Sequence, residues 1–308
     1  MKELRGKTEL NNKAKRRRAL PLHLMLLPAV IVVFIYSYIP MFGICIAFMD
    51  FDVGLGFQSP WVGLENFRYI LNLPGSLQVL RNTLLISFFK IAGMIVVPVT
   101  FALLLNEIGN KLFKRVFQTL IYVPHFLSWI IISGILIDIL SPSSGIVNDV
   151  IKALGFEPIF FLGDKFWFPI TMVVSDIWKG FGYGTIVYLA ALTGIDQTLY
   201  EAAMVDGAGK WKQVVHITIP GILPIIILMS VLSLGNILNA GFDQVYNLYS
   251  AQVYETGDII DTFVYRLGIQ QGQFGPATAV GLFKSIVSMI FVLASYKLAD
   301  KFAGYRIF

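Results

Sequence analysis

Apolar residues along this chain come in long unbroken runs, not in the alternation that marks half-buried strands. Six runs, 22–48, 83–105, 113–140, 166–192, 217–240 and 277–299, are each long enough for a helix to cross a hydrocarbon core of about 30 Å, which takes about 20 residues. The pattern predicts an all-α membrane protein with six transmembrane helices. The first run, at 27 residues, would reach about 40 Å and is expected to tilt or to project from the bilayer. It exceeds the apolar stretch of a signal peptide and no small-residue cleavage site follows, so it is read as a retained span.

The intervening segments are polar and rich in turn formers. Segment 49–82 carries Gly54, Gly56, Pro60, Gly63 and Pro74, and 141–165 opens with Ser141-Pro142-Ser143-Ser144-Gly145. Together with 241–276 they hold ten of the 19 acidic residues, so they are either solvated connectors or a docking face for a soluble partner. Basic residues set the sidedness, because cytoplasmic segments retain Lys and Arg. Sixteen fall in the N-terminal tail, the 106–112 region with Lys114 and Arg115, the 193–216 segment and the C-terminal end, whereas the opposite segments hold Arg68, Lys152, Lys165 and Arg266, with Arg81 at the edge of the second span. Both termini are therefore expected in the cytoplasm, as an even number of spans requires. The organisation expected is a basic tail over 1–21, a first span over 22–48, an extracellular loop over 49–78, a membrane domain over 79–299 and a short cytoplasmic tail over 300–308.

Composition supports a chain facing lipid: hydrophobic residues make up 56% and charged residues 14%, with a mean hydropathy of +0.72. So few charges cannot keep a surface wet, which excludes an ordinary soluble enzyme, a disordered tail and a secreted disulfide scaffold. Cys45 is the single cysteine and lies in an apolar run. The formal charge of +5 reads as a topology signal and not as a nucleic-acid surface, since eight cations lie in the first 18 residues.

Candidate chemistry is sparse. Gly207-Ala208-Gly209-Lys210 has Met204 where a phosphate loop needs its first Gly and Trp211 where it needs Ser or Thr, and Gly6-Lys7-Thr8 lacks an upstream Gly. His23, His125 and His216 lie in separate segments without metal-ligand spacing, and there is no nucleophile elbow. No catalytic residue, metal site or cofactor is expected in this chain.

The informative segment runs from Glu201-Ala202-Ala203 through Asp206-Gly207-Ala208 to Ile217-Thr218-Ile219-Pro220. Helix formers interrupted by Gly207 and Gly209 predict two short helices, 197–205 and 210–215, joined by a sharp turn, with Pro220 in an early turn of the fifth span. This segment resembles the EAA signature of binding-protein-dependent ABC importer permeases of the type I fold: Glu-Ala-Ala, three residues, Gly, nine residues, Ile, one residue, Leu-Pro. Ile219 stands where Leu is usual, a like-sized exchange. Tyr36-Ser37-Tyr38-Ile39-Pro40, Trp61-Val62-Gly63-Leu64-Glu65-Asn66-Phe67, Arg81-Asn82-Thr83 and Tyr122-Val123-Pro124-His125-Phe126 extend the likeness to the carbohydrate branch, in particular the lipoprotein-linked sugar permeases of Gram-positive bacteria.

The resemblance implies that segment 197–220 is a loop coupled to an ATPase, with Glu201, Ala202, Ala203, Asp206, Gly207, Ile217 and Pro220 as its residues. It also implies a second permease subunit, related but not identical, two ABC ATPase subunits that hold ATP and magnesium, and a lipid-anchored solute-binding protein outside. Ionisable residues inside spans mark a cavity or an internal pair. Asp176 and Lys179, three apart on one helix, are expected to neutralise each other. With Trp178, Tyr183, Asn236, Asn239 and Asp243 they form a candidate sugar pathway, the plainer alternative being an interfacial aromatic belt with interhelical polar links. Lys90 and Lys284 are expected to snorkel or to touch neighbouring helices. A different class of protein, an ion-driven secondary transporter, would use Asp138 and Asp176 as its ion sites.

Overall fold

The computed structural model describes residues 21–303 and all their side chains except those of residues 299, 302 and 303. The eight N-terminal cations and Arg306 lie outside the described residues. The described chain is helical apart from one bridge between Met49 and Trp61. Its helices are α1 (Pro21–Phe48), α2 (Glu65–Asn72), α3 (Ser76–Glu107), α4 (Lys111–Tyr122), α5 (Trp129–Ile139), α6 (Ile146–Ala153) and α7 (Trp167–Leu192). The series continues with α8 (Gln197–Val205), α9 (Lys210–Leu234), α10 (Phe242–Leu248), α11 (Ile260–Tyr265) and α12 (Phe274–Ala303).

Four of these, α1, α3, α9 and α12, are long and apolar enough to cross a membrane among the described residues. The run expected as one straight span over 113–140 is instead broken: α4 and α5 meet at 103°. Pro124 removes a backbone donor, Leu127 turns extended, and the Ser128 hydroxyl accepts the Ile131 N–H to start a new helix. Counted as one bent span, the pair brings the number to five. Helix α7 has the length, 26 residues, but Asp176, Lys179 and three glycines dilute its apolarity.

Proline also explains two local distortions. In α1 the Ile39 N–H reaches back five residues to the Phe34 carbonyl, just ahead of Pro40, and in α9 the Ile219 N–H reaches Val214, just ahead of Pro220. Widening the turn frees the carbonyl that the proline ring would otherwise strike. Helix α9 therefore runs without a stop from Lys210 into the apolar span. The second short helix expected over 210–215 starts at Lys210 but runs on through the widened turn into the span, and Pro220 stands in the first turn of the regular stretch Ile219–Leu234, as expected.

The bundle is inverted relative to a soluble one. On α3 the buried stripe Val79, Asn82, Thr83, Ile86, Ser87 and Lys90 follows the 3.6-residue period and is largely polar, whereas Leu77, Leu85, Phe88, Phe89, Val96 and Leu104 are exposed. Lipid tails reward an apolar exterior, so polar groups turn inward, where Asn82, Thr83 and Lys90 bond to backbone and side-chain partners on other segments while the Ser87 hydroxyl has no partner among the described residues. Helices α3 and α7 form the longest contact, made close by Gly180 and Gly184 of α7: a Cβ there would press on Met94 and Pro98 of α3. Three apolar clusters stack along α3, around Phe263 and Leu267 near its start, Phe168 and Met172 in the middle, and Tyr188 and Ile222 near its end.

Loops at the end of the bundle away from α8 are pinned by buried amides. Asn66 donates to the carbonyls of Ala47 and Met49 at 3.0 and 2.9 Å. Asn148, fully buried, donates to Leu140, Ser141 and Ile159 and accepts the Ile159 N–H at 2.7 Å. Asn148→Leu leaves those groups unpaired and is expected to cost about 3 kcal/mol, read as a lowered thermal midpoint and faster proteolysis within 154–165. An unchanged midpoint would show that these bonds do not hold the loop.

Candidate functional site

Two constructions stand out, one at each level of the bundle. The first is the α8–α9 hairpin. Asp196 caps α8 by accepting the Thr198 N–H at 2.9 Å, a bond that holds its carboxyl below the usual range. At the other end the Gly207 N–H bonds to Met204 at 3.1 Å and the Ala208 N–H to Ala203 at 2.8 Å, with Gly207 at φ 73°. These paired bonds are a Schellman closure, which needs a left-handed residue just past the helix, and Gly207 supplies it without a Cβ penalty. Nothing surrounds that position, so its demand is conformational and not steric.

The hairpin is then locked to its span. Gln213, buried, donates to the Ala208 carbonyl at 3.0 Å, and the hydroxyls of Tyr200 and Thr218 meet at 2.9 Å, joining α8 to α9. Lys210 pairs with Glu107 at the end of α3, at 2.9 Å. Outward it presents Glu201, Ala202, Asp206 and Gly207, together with two large apolar groups, Val205 at 88% and Trp211 at 77% exposure. Ala203 and Ile217 are half-buried, and Pro220 is exposed on α9. A rigid knob with an apolar tip, continuous with a membrane helix, can take a push or pull from a partner and pass it to the span.

The second construction lies inside the bundle. Lys90, 6% exposed, turns inward; it neither snorkels nor reaches lipid. Its ammonium donates to the Ala240 carbonyl at 2.7 Å and to the Gln244 side chain, and stands 3.6 Å from the Asp176 carboxylate. Gln244, fully buried, in turn donates to the Met172 carbonyl and the Ser175 hydroxyl, both at 2.8 Å. One lysine thus ties α3, α7 and the break between α9 and α10 together. Asp176 was expected to pair with Lys179, but the ion pair is with Lys90. Lys179 instead donates to the His125 carbonyl at 2.8 Å and stands 5.7 Å from the Trp129 ring. Lys284 pairs with Asp261 of α11.

The remaining pathway candidates divide. Tyr183, one turn beyond Lys179, stacks on His125 with ring centres 4.2 Å apart and planes 4° from parallel. Trp178 faces away, into an apolar groove with Ile135, Leu136 and Trp167. Asn236, Asn239 and Asp243 are exposed about the α9–α10 break, where Asn239 and Asp243 flank the turn that holds Lys90. Lys90, Gln244 and His125 were missed as partners. The signal available was the polar stripe of α3, Asn82, Thr83, Ser87 and Lys90, recurring at helical spacing within an apolar run.

A family described as binding-protein-dependent transport system inner membrane component matches residues 91–303, which include the hairpin and, of the second construction, every residue but Lys90. The chain belongs to this family. As such it is a permease subunit of an ABC transporter, embedded in the membrane by several spans, and the ATPase is a separate chain. The permease is 42% identical over 304 residues to the polygalacturonan/rhamnogalacturonan transport system permease protein YteP of Bacillus subtilis (strain 168), covering 96% of this chain and 95% of the relative. It is 43% identical over 282 residues to protein LplB of the same organism, covering 91% and 89%. Among solved structures, it matches a chain of a bacterial alginate ABC transporter in complex with an alginate pentasaccharide-bound periplasmic protein, with TM-score 0.87 and 35% identity, covering 96% of this chain and 99% of that one.

Proposed function

We propose that this permease is one of two membrane subunits of an ATP-driven importer for oligosaccharides or polysaccharide fragments, with six spans and both termini cytoplasmic. The observation that carries the reading is the α8–Gly207–α9 hairpin: a locked knob, its apolar tip exposed, built on the same helix that becomes a span. Its partners are a related second permease, two ATPase subunits that bind ATP with magnesium, and a lipid-anchored binding protein outside. Counting α7 and the bent α4–α5 pair with α1, α3, α9 and α12 makes six spans, and the basic residues of the 193–216 segment favour the hairpin inside. The family and the names of YteP and the alginate transporter support the sugar cargo. An ion-driven carrier is disfavoured because Asp176 is matched by Lys90, and Asp138 is exposed on α5.

The test is ATP-dependent sugar uptake in proteoliposomes holding the permease with its partner permease, ATPase and binding protein. Glu201→Lys reverses a charge on the knob, and Gly207→Asp places a Cβ at φ 73° and a second carboxylate beside Asp206. Each is expected to reduce uptake and sugar-stimulated ATP hydrolysis at least about tenfold, the effect of about 1.4 kcal/mol at the coupling step, while the assembled complex is retained. Uptake that continues without the ATPase would sink the reading.

A further inference from the structure

We propose that Lys179 selects for acidic sugars: the cargo is a uronate-bearing oligosaccharide whose carboxylate takes the Lys179 ammonium while a sugar ring lies on the open side of Tyr183. The inference rests on the importer reading and narrows its cargo. It follows from a charge count. Around the intramembrane centre there are two ammonium groups, Lys90 and Lys179, and one carboxylate, Asp176. The carboxylate is placed against Lys90, which also has two oxygen acceptors and is closed to solvent. Lys179 keeps, among the described residues, one backbone acceptor and the face of the Trp129 ring at 5.7 Å, and Asp176, three residues back on the same helix, acts on it only at longer range. An ammonium in that position has donors to spare and no anion within ion-pair distance among the described residues. It is half-buried, so a ligand can reach it.

What stands beside it narrows the ligand further. Tyr183 is 51% exposed and backed on one side by the parallel His125 ring, so it presents a stiff flat surface one helical turn from Lys179. Sugar rings offer C–H faces to such surfaces, and carboxylates form the strong charge-assisted bonds with ammonium groups. A neutral sugar would use the ring and leave the cation without an anion; a uronate uses both. The polyuronate named for the solved relative, alginate, and the galacturonan named for YteP are consistent with this chemistry.

The experiment titrates trigalacturonate and the uncharged galactotriose into the purified permease–ATPase complex without binding protein, following tryptophan fluorescence, for wild type, Lys179→Leu and Lys179→Arg. Wild type is expected to bind trigalacturonate at least about tenfold more tightly than galactotriose, the worth of one charge-assisted bond. Lys179→Leu should abolish the preference, and Lys179→Arg should keep it. Size-exclusion chromatography checks that each variant remains assembled, and the arginine variant guards against a fold effect. Equal binding of the two sugars by wild type, no binding of either, or a preference that survives in Lys179→Leu overturns the inference. ATP-dependent uptake of sugars with no charge preference, measured in parallel with the binding protein present, would do so while leaving the importer reading intact. Absence of any ATP-dependent sugar uptake would overturn both.

Discussion

Gly182→Val is expected to pull α4 off α7 and to cost the folded permease about 3 kcal/mol or more, the range for overpacked sites that cannot yield. The position of a Cβ at Gly182 lies 2.5 Å from the carbonyl carbon of Ile121 and closer still to its oxygen. Both are backbone atoms of α4, so no rotamer change can relieve the overlap and a helix must move. The residue that moves with it is His125, a few positions on, whose carbonyl holds Lys179 and whose ring backs Tyr183. The variant should therefore show a lowered thermal midpoint and weakened sugar binding together. Gly134→Ala in α5, where a Cβ meets nothing within 4 Å, is the matched control and should stay near wild type. If Gly182→Val unfolds at the wild-type temperature, the close α4–α7 approach is not a feature of the protein.

Lys90→Met is the second large effect. It removes the cation from between the Ala240 carbonyl, the Gln244 amide and the Asp176 carboxylate, leaving a charge and two acceptors unmatched in the bundle interior. Breaking a buried pair by taking one partner typically costs about 3–5 kcal/mol, because the remaining charge is stranded. Asp176 is partly exposed, with 29% of its side chain accessible, which places the expectation at the lower end of that range. The double variant Lys90→Met with Asp176→Asn no longer strands a charge, so it should recover part of the loss. A double-mutant cycle on thermal midpoints reads the coupling directly. Additive effects of the two changes would mean that the ion pair contributes nothing to the fold.

Much of this was legible in the chain. The lengths of the apolar runs place α1, α3, α7, α9 and α12 to within several residues at most ends, because a bilayer demands a minimum length and tolerates few charges. The hairpin was legible for a different reason. A Schellman closure involves only residues 203–208, so the interval from Glu201-Ala202-Ala203 to Gly207 carries the turn by itself. The helix 197–205 appears with the bounds expected. The continuity of α9 through Pro220 was not legible, since the wide turn that accommodates a proline leaves no residue signature beyond the proline.

By itself the sequence determined that the chain is helical and lies in a membrane, that it has no nucleotide or metal motif, and that it carries a Gly-turned hairpin matching one transporter family. Each of these depends on composition or on bonds among neighbours a few positions apart. Only the tertiary structure decided that the 113–140 run folds back at 103°, that Asp176 faces Lys90 while Lys179 faces His125, and that Gln244 closes the centre. Residues 176 and 179 share a helix face, so spacing alone favoured their pairing. The choice was settled by how α7 is rotated against α3, where Gly180 and Gly184 let Met94 and Pro98 approach and bring the Lys90 ammonium within reach of the carboxylate. Helix rotation is set by the sum of contacts along the whole interface, and no local spacing contains it.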